Sequence, residues 1–261
     1  MSPPNPPPSR KTWSKTADRP LRSRRQSLGI WLFARWLGVP VPWHAVRQTD
    51  ARGLLAFEHE RLLALAAAGE AVPPVVSFDG QALVTGDIGP TLSHVLSEQP
   101  QGERMATMCA ASADLAAFHA RGHWHGGAQT RNITWDGERF ARLDFEEALL
   151  PGMALPTVQL YDALQLLFSL SHHLQPLGAD AVLRVLRAYD DAWLTHSAGA
   201  DLRPDLRAFL AHLLPRLRWV ARVAGWSSRL SQSREVKRLR TVLDGMAAFV
   251  DDRPAKVGAG G

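Results

Sequence analysis

The chain has 261 residues, of which 46% are hydrophobic and 21% are charged, and this composition excludes a wholly disordered or low-complexity protein. The length fits one large domain or two closely packed lobes. The formal net charge of +5 is unevenly distributed: residues 1–25 carry +6, residues 214–240 carry +7, and the remainder carries about −8. This pattern indicates an acidic body with two basic segments, which weakens the case for a nucleic-acid-binding protein.

Cysteine content and apolar runs bear on the cellular compartment. The single cysteine, Cys109, permits no intrachain disulfide and is typical of a reducing compartment. The first residues lack the apolar core of a signal peptide, and no uncharged apolar run approaches the length of about 18 residues that a membrane span requires. We therefore expect a cytoplasmic protein.

The N-terminal segment divides into two parts. Residues 1–26 are rich in Pro, Ser, Arg and Lys and predict a disordered basic tail. Residues 27–37 (SLGIWLFARWL) are strongly apolar, and two alternatives stay open for them. They form a helix that packs its aromatic face on the domain, or they lie on an anionic membrane surface together with the arginines before them. The second alternative predicts membrane contact through residues 10–37 and a peripheral location on the inner membrane.

Residues 41–90 predict a small unit of strands and one helix. Pro and β-branched residues over 41–49 favour a short strand. Leucines at helical spacing over residues 51–69 predict a helix that ends at a capping glycine, Gly69. Two apolar runs within residues 72–86 flank Asp79-Gly80 and predict a β-hairpin.

The rest of the chain is mostly helical by its pattern. Helices are predicted over residues 91–96 and 102–122, and a second hairpin is predicted around Asp136-Gly137. Residues 156–251 predict only helices, with breaks near Gly178, Gly199, Gly225 and Ser231. The order of elements indicates an α+β fold with two lobes.

The residues of greatest chemical interest lie between 115 and 147 (LAAFHARGHWHGGAQTRNITWDGERFARLDFEE). This stretch predicts a polar loop containing His125 and Asn132, then a hairpin, and then Asp144 at the end of an apolar strand. A loop Asn and a strand-end Asp brought together across a short hairpin form an oxygen-rich pair, of the kind that Mg²⁺ uses together with phosphate oxygens. Asn132 and Asp144 are therefore candidate metal ligands.

This stretch resembles the catalytic core of the protein-kinase-like superfamily. His125-Gly126 and Asn132-Ile133 are similar to its catalytic loop, and Asp144-Phe145-Glu146 is similar to its metal-binding motif. The form resembles that of small bacterial kinases: lipopolysaccharide-core (Kdo and heptose) kinases, aminoglycoside phosphotransferases and the KEOPS-type and RIO-type kinases. The resemblance spans about residues 40–175. It implies a two-lobed fold, with a reduced N-lobe sheet and hinge over residues 27–90, a helical C-lobe over 91–251 and a flexible tail over 252–261.

The resemblance also implies roles for single residues. Glu58 resembles the helix glutamate that pairs with a phosphate-binding lysine, and Asp162 resembles the buried aspartate that steadies the catalytic loop. Residues 83–92 resemble the hinge, whose backbone holds the adenine of ATP, and Asp87 lies within it. The implied ligands are ATP and Mg²⁺.

Three departures from the family pattern bear on activity. Gly127 stands where the catalytic aspartate is expected, so the nearest candidate catalytic groups beside Asn132 and Asp144 are His125 and Gln129. No lysine lies between residues 16 and 236, and this predicts that the small lobe lacks the phosphate-binding lysine. Arg47 is either its replacement or an exposed strand residue. No glycine-rich loop precedes the helix over residues 51–69, so the lobe is expected to be truncated or remodelled.

Two functions follow, with a third less favoured. The first is a Mg-ATP-dependent phosphotransferase that acts on a lipopolysaccharide-core sugar or a protein hydroxyl. The second is a catalytically inactive pseudokinase that serves as a scaffold for a protein partner or a lipid surface. The third, nucleic-acid binding, would use Trp219 and Trp226 among the arginines of residues 216–240. An amphipathic helix with solvated arginines is the preferred interpretation of that segment, so nucleic acid is not expected as a partner.

Overall fold

The computed structural model describes residues 11–18, 22–150, 152–196, 204–224 and 233–252. These residues form five β-strands and nine α-helices, which confirms the α+β class. The strands are β1 (Thr12–Thr16), β2 (Val75–Phe78), β3 (Ala82–Gly86), β4 (Ile133–Trp135) and β5 (Phe140–Arg142). The helices are α1 (Arg24–Leu37), α2 (Trp43–Val46), α3 (Ala51–Ala67), α4 (Leu92–Glu98), α5 (Gln101–Ala120), α6 (Leu155–Leu174), α7 (Ala179–His196), α8 (Leu206–Ala224) and α9 (Arg234–Asp251).

The larger sheet is antiparallel with strand order β1-β3-β2. Strands β2 and β3 form the predicted hairpin, in which the Asp79 carboxylate accepts hydrogen bonds from the backbone N–H groups of Gln81 and Ala82 at 2.8 and 2.7 Å. Strand β1 pairs with β3 along its whole length, and Lys15 lies opposite Leu83. Strand β3 is therefore the centre of the sheet, and β1 is an edge strand.

Strand β1 and the start of α1 correct the prediction of a disordered tail over residues 1–26. Residues 12–16 form β1, and α1 begins at Arg24 with a capping box between Ser23 and Gln26. The physical reason is pairing at long range: β3 lies about seventy residues further along the chain and offers an edge whose backbone groups need partners. Residues 1–10 and 19–21 of the predicted tail lie outside the described residues.

The predicted strand over residues 41–49 is also wrong. The segment contains the short helix α2, and its residues Val41, Ala45 and Val46 are buried. The Ser27 hydroxyl donates a hydrogen bond to the carbonyl of Val46 at 3.2 Å, which ties the segment to α1. Burial against a neighbouring helix here outweighs the strand preference of β-branched residues.

Helix α3 and the glycine after it follow the prediction. Gly69 has a positive φ of 81°, and the N–H of Glu70 donates to the carbonyl of Leu65 at 3.0 Å. This is the left-handed ending that glycine favours at the C-terminus of a helix. Leu55, Glu58, Leu62 and Leu65 recur along the buried side of the helix, so Glu58 is carried inward with the leucines.

The helical body packs around α5, which contacts α6 and α7, while α9 lies against α6, α7 and α8. Its fully buried side chains include Leu115, Phe118, Leu170, Val182 and Phe249. The predicted second hairpin is formed by β4 and β5. A helix break is confirmed at Gly178, whose φ is 84°, whereas the predicted breaks near Gly199, Gly225 and Ser231, like the tail after residue 252, lie outside the described residues.

Gly245 lies where α9 packs tightly against α7, and alanine at this position is expected to destabilise the protein. A Cβ atom at residue 245 would lie 2.3 Å from Cβ of Val182 and 2.7 Å from the carbonyl oxygen of Ala179. Overpacking of this kind costs about 1 to 3 kcal/mol, which exceeds the helix propensity that alanine gains over glycine.

Urea denaturation of Gly245→Ala should show this loss in the free energy of unfolding. The matched control is Gly29→Ala in α1, where nothing lies within 4 Å of the added Cβ. That variant should be as stable as the parent or slightly more stable. Equal effects of the two substitutions would contradict the close packing of α7 and α9.

Candidate functional site

Three charged side chains from distant parts of the chain meet beside the larger sheet. The ammonium group of Lys15 on β1 donates to both carboxylate oxygens of Glu58 at 2.7 and 2.9 Å, and to Oδ1 of Asp144 at 2.5 Å. Glu58 is only 3% exposed, and Lys15 and Asp144 are half-buried. Burial by itself lowers the pKa of Lys15, but the charges of Glu58 and Asp144 outweigh it and raise this pKa above its usual value. Lys15 is therefore a permanent cation at this site.

Lys15 corrects the prediction that the small lobe has no lysine beside Glu58. The lysine comes from the segment that composition assigned to a disordered tail, and β1 delivers it to the glutamate on α3. Arg47, the predicted replacement, lies at the end of α2, where its guanidinium donates to the carbonyls of Arg22 and Gln48. Since Arg47 contacts neither Glu58 nor Asp144 in any hydrogen bond or ion pair of the described residues, it is not the cation of this site.

Asp144 follows β5 in an unusual backbone conformation. Its φ is 70°, and no other described residue except glycine has a positive φ. A positive φ is uncommon for a residue with a Cβ, although aspartate adopts it more readily than most, and such residues cluster at functional sites. The N–H of Leu143, just before it, donates to the carbonyl of Asn132 at 3.0 Å and so ties the two predicted metal ligands together.

The loop between α5 and β4 is held from inside by Asp162 of α6. Its carboxylate accepts the backbone N–H groups of His125 and Gly126 at 2.6 and 2.7 Å, and it lies 3.3 Å from Nε2 of His119. Asp162 is completely buried. The aspartate thus fixes the start of the loop, which is the position that the sequence suggested for it.

His125 is buried within this loop, and both of its ring nitrogens are engaged. Nε2 lies 3.0 Å from the carbonyl of Leu143, to which it donates, and Nδ1 accepts the N–H of Gly127 at 3.1 Å. The ring also stacks on Phe145, with the centroids 4.5 Å apart. Burial lowers the pKa of His125 to about 4. The predicted catalytic His125 therefore serves as a neutral link between the loop and the segment after β5 that contains Asp144.

The depressed pKa of His125 predicts a loss of stability in acid. A histidine whose pKa falls from 6.5 to about 4 on folding contributes stability that is fully present above pH 6.5 and is lost as the pH falls towards 4. The loss amounts to about 3 kcal/mol in the free energy of unfolding. Urea denaturation across this pH range should show a shallower pH dependence for His125→Gln than for the parent. His94→Gln, at an exposed position on α4, is the control and should retain the parent slope.

Asn132 and Gly127 lie together at the end of the loop. Nδ2 of Asn132 donates to the carbonyl of Gly127 at 2.9 Å, so Oδ1 is the amide atom that a cation would use. Gly127 offers no side chain, but a Cβ added there would lie 3.4 Å from Nδ2 of Asn132 and 3.7 Å from Nδ1 of His125, which is ordinary contact. Gln129, the other predicted catalytic residue, hydrogen bonds weakly to Gln165 at 3.4 Å.

Two cavities meet at the side chain of Asp144. The first, of about 320 Å³, is called the sheet-side cavity here and has apolar walls with Lys15 and Glu58 among its lining. Its apolar lining includes Leu62, Leu83, Ile88 and Leu143. The second, of about 240 Å³, is called the loop-side cavity and is lined by Gly127, Asn132, Glu146 and Glu147, with apolar residues such as Leu149 beside them.

The carboxylates near Asp144 could hold a divalent cation. Glu58, Asp144 and Glu146 each offer an oxygen, and these atoms lie within 4.8 Å of one another. Carboxylate oxygens are hard donors of the kind that suits Mg²⁺, and Asn132, which lines the same cavity as Asp144 and Glu146, adds an amide oxygen to the candidate ligands. Glu146 was named in the sequence only as part of a motif, and its place beside Asp144 adds a third candidate ligand.

Some residues of the site were not found from the sequence. Arg22 donates to Glu147 at 2.6 Å across the loop-side cavity, although 125 residues separate them in the chain. Tyr161 also lines this cavity, and burial together with the charge of Glu147 raises its pKa to about 12. No local motif marks these residues, because only the packing of α1 and α6 beside the loop brings them together.

Asp87, predicted at the nucleotide, lies at the edge of the sheet-side cavity. Its Oδ1 accepts the indole N–H of Trp13 at 2.9 Å, and its backbone N–H donates to the carbonyl of Lys11 at 2.9 Å. These bonds hold the start of β1, while its neighbours Gly86 and Ile88 line the cavity. Asp87 thus holds in place the strand that forms one wall of the cavity, and does not itself line the cavity.

A scan against models of known protein families finds no match to this chain, and a search of curated proteins finds no relative of significant similarity. Among the described residues, no helix combines the length and the apolar character needed to cross a bilayer.

Proposed function

We propose that the chain has a protein-kinase-like, two-lobed fold, binds Mg-ATP between the lobes and transfers the terminal phosphoryl group to a hydroxyl. In this proposal β1–β3 and α3 form the small lobe, residues 86–91 form the hinge, and the helices from α4 onward form the large lobe. The sheet-side cavity takes the nucleotide, and the loop-side cavity takes the acceptor.

The observation that carries the proposal is the contact of Lys15 with both Glu58 and Asp144. A lysine fixed by a helix glutamate, next to an aspartate at the end of a hairpin, is the arrangement that holds phosphates and their metal in protein kinases. Each side chain comes from a different element. The contact therefore forms only when the sheet, α3 and the hairpin hold fixed positions relative to one another. Ordinary surface ion pairs carry no such requirement.

The sheet-side cavity suits a nucleotide in size and chemistry. Its volume of about 320 Å³ falls within the range of about 300–1,000 Å³ that is usual for small-molecule sites. Leu62, Leu83 and Leu143 supply apolar surface for a base, and Lys15 supplies positive charge for phosphates. The base and the phosphates of one ATP molecule need these two environments side by side.

The chain's own residues would position the reactants. Asn132, Asp144 and Glu146 have the oxygen donors that Mg²⁺ prefers, and the bound ion would neutralise charge on the phosphate oxygens. Lys15 would hold the phosphates, while Asp162 and His125 keep the loop with Asn132 in place. The acceptor oxygen would form its bond to phosphorus as the bond between phosphorus and the ADP oxygen breaks, and the hydroxyl proton would pass to water, since Gly127 offers no base. Positioning would supply most of the rate.

Gly127 favours a second candidate function, that of a pseudokinase. No carboxylate stands at this position to accept the proton of the acceptor hydroxyl, and general-base help is worth about 10²- to 10⁴-fold in rate. Under this alternative the chain is a scaffold for a protein partner or a lipid surface and catalyses nothing. The first candidate requires both nucleotide binding and phosphoryl transfer, whereas the second requires neither.

A thermal-shift titration with Mg-ATP tests nucleotide binding. We expect the parent chain to be stabilised in proportion to the logarithm of the ATP concentration. Asp144→Asn should weaken binding about ten- to hundredfold, because it removes a charged partner worth about 1.5 to 3 kcal/mol. The control Asp244→Asn, exposed on α9, should bind as the parent does. Absence of a shift in the parent would overturn the phosphotransferase and favour the scaffold.

Release or transfer of labelled γ-phosphate then separates the two candidates. A kinase should move label from ATP to water or to an added hydroxyl compound, and Asp144→Asn should abolish this transfer. Binding without any release of label above the Asp144→Asn background would support the pseudokinase.

A further inference from the structure

Helices α1 and α8 form an apolar face that is exposed in the part of the chain that the structure describes. Seven of the twelve large hydrophobic side chains that are exposed in the described part of the chain lie on these two helices. The α1–α8 face is defined by Leu28, Leu32, Phe33, Trp36, Trp219 and Val223. It is continuous across the two helices, because the Trp36 ring lies 5.5 Å from that of Trp219 and 6.0 Å from that of Phe33.

The apolar character of α1 exceeds what its packing needs. Ser27 and Leu37 are buried, and Trp31 and Ala34 pack against the core, so this side of the helix faces the protein. The opposite side carries exposed leucine, phenylalanine and tryptophan instead of the usual polar residues. A helix with apolar residues on both sides is normally covered on both. Contiguous exposed apolar surface of this kind marks an interaction site.

The charged side chains of α1 and α8 are all positive. Neither α1 nor α8 contains an acidic residue, and Arg24, Arg25, Arg35, Arg218 and Arg222 are all exposed. Arg24 and Arg25 lie in the first turn of α1, where the helix dipole disfavours positive charge. These arginines therefore cost helix stability unless an anionic partner compensates for them.

We propose that the α1–α8 face docks on an anionic lipid bilayer. Exposed aromatic side chains beside exposed arginines fit a bilayer, because tryptophan and phenylalanine suit the interfacial region and arginines suit acidic headgroups. A second copy of the chain fits poorly, since a two-fold contact through this face would set arginines against arginines. The proposal joins residues 216–224, which composition alone had suggested for nucleic acid, to the apolar segment over residues 27–37.

Vesicle co-sedimentation of the full chain tests the proposal without nucleotide. We expect binding to mixed phosphatidylglycerol–phosphatidylcholine vesicles, weakened by added salt, and much less binding to pure phosphatidylcholine vesicles. Each arginine near the surface is worth about fivefold in affinity. Arg24→Gln with Arg25→Gln should therefore weaken binding about twentyfold or more, while removing charges that the helix dipole disfavours.

A matched pair of leucines tests the apolar part. Leu32 in the face is 52% exposed, and Leu194 on α7, outside the face, is 55% exposed. Leu32→Glu should reduce vesicle binding at least about tenfold, and Leu194→Glu should leave it unchanged. Thermal unfolding in solution verifies that both variants are folded.

Three outcomes would overturn the proposal. They are no binding of the parent to acidic vesicles, equal effects of Leu32→Glu and Leu194→Glu, and a concentration-dependent dimer in light scattering that Leu32→Glu abolishes. The last outcome would assign the face to a second copy of the chain. None of them depends on ATP, so this proposal and the proposed function fail separately.

Discussion

Replacing Gly127 with aspartate is expected to raise the rate of phosphoryl transfer by about 10²- to 10⁴-fold. The loop has room for the side chain, because a Cβ at this position would meet only ordinary contacts and the backbone has no positive φ there. The carboxylate would enter the loop-side cavity, which Gly127 lines together with Asn132 and Asp144. It would supply the proton acceptor that this cavity lacks at residue 127.

The measurement is the release of labelled γ-phosphate from Mg-ATP, with water as the acceptor. Gly127→Asn is the matched control, since it has nearly the same shape and cannot accept the proton as a base. Equal rates for the aspartate and asparagine variants would show that residue 127 is not the site of the missing base. An increased rate would also favour the phosphotransferase over the scaffold, because a protein that only serves as a scaffold should not begin to transfer phosphate when one carboxylate is added.

Replacing Lys15 with methionine is expected to weaken Mg-ATP binding about ten- to hundredfold. The variant removes the cation that contacts Glu58 and Asp144, and a hydrogen bond to a charged group is worth about 1.5 to 3 kcal/mol. It also leaves the buried carboxylate of Glu58 without its partner. We therefore expect a loss of about 1 to 3 kcal/mol in the free energy of unfolding as well.

Two further variants separate the loss of the cation from the loss of stability. Lys15→Arg keeps the positive charge and should retain stability, with binding between that of the parent and that of Lys15→Met. Lys237→Met on α9 removes an exposed lysine and should change neither property. Calorimetric titration with Mg-ATP gives the affinities, and parent-like binding by Lys15→Met would contradict the role of this lysine.

The parts of the site that were predicted from the sequence depend on short spacings. His125, Asn132 and Asp144 lie within twenty residues of one another, joined by one hairpin whose turn residues are evident in the sequence. Glu58 was found because the leucines around it recur at helical spacing, and the helix formed as predicted. In these cases local structure alone largely determines the geometry.

Lys15 was missed because its strand has no local signal of burial. Four of the five residues of β1 are exposed, and an edge strand of this kind lacks the alternation of apolar and polar residues that marks a half-buried strand. Only pairing with β3 turns these residues into a strand. The ion pair of Arg22 with Glu147 was missed for the same reason, since a contact over 125 residues leaves no pattern in either segment.

The attachment of β1 has a consequence for how the chain could be divided. Its backbone pairs only with β3 among the described strands, and the bonds of Lys11, Trp13 and Ala17 with residues 81–87 extend that pairing at both ends. The lysine of the proposed nucleotide site is thus carried on an edge strand. A chain that starts at residue 22 should lose Mg-ATP binding, and a synthetic peptide of residues 11–18 should restore it in trans, as a split protein regains function when its missing strand is supplied.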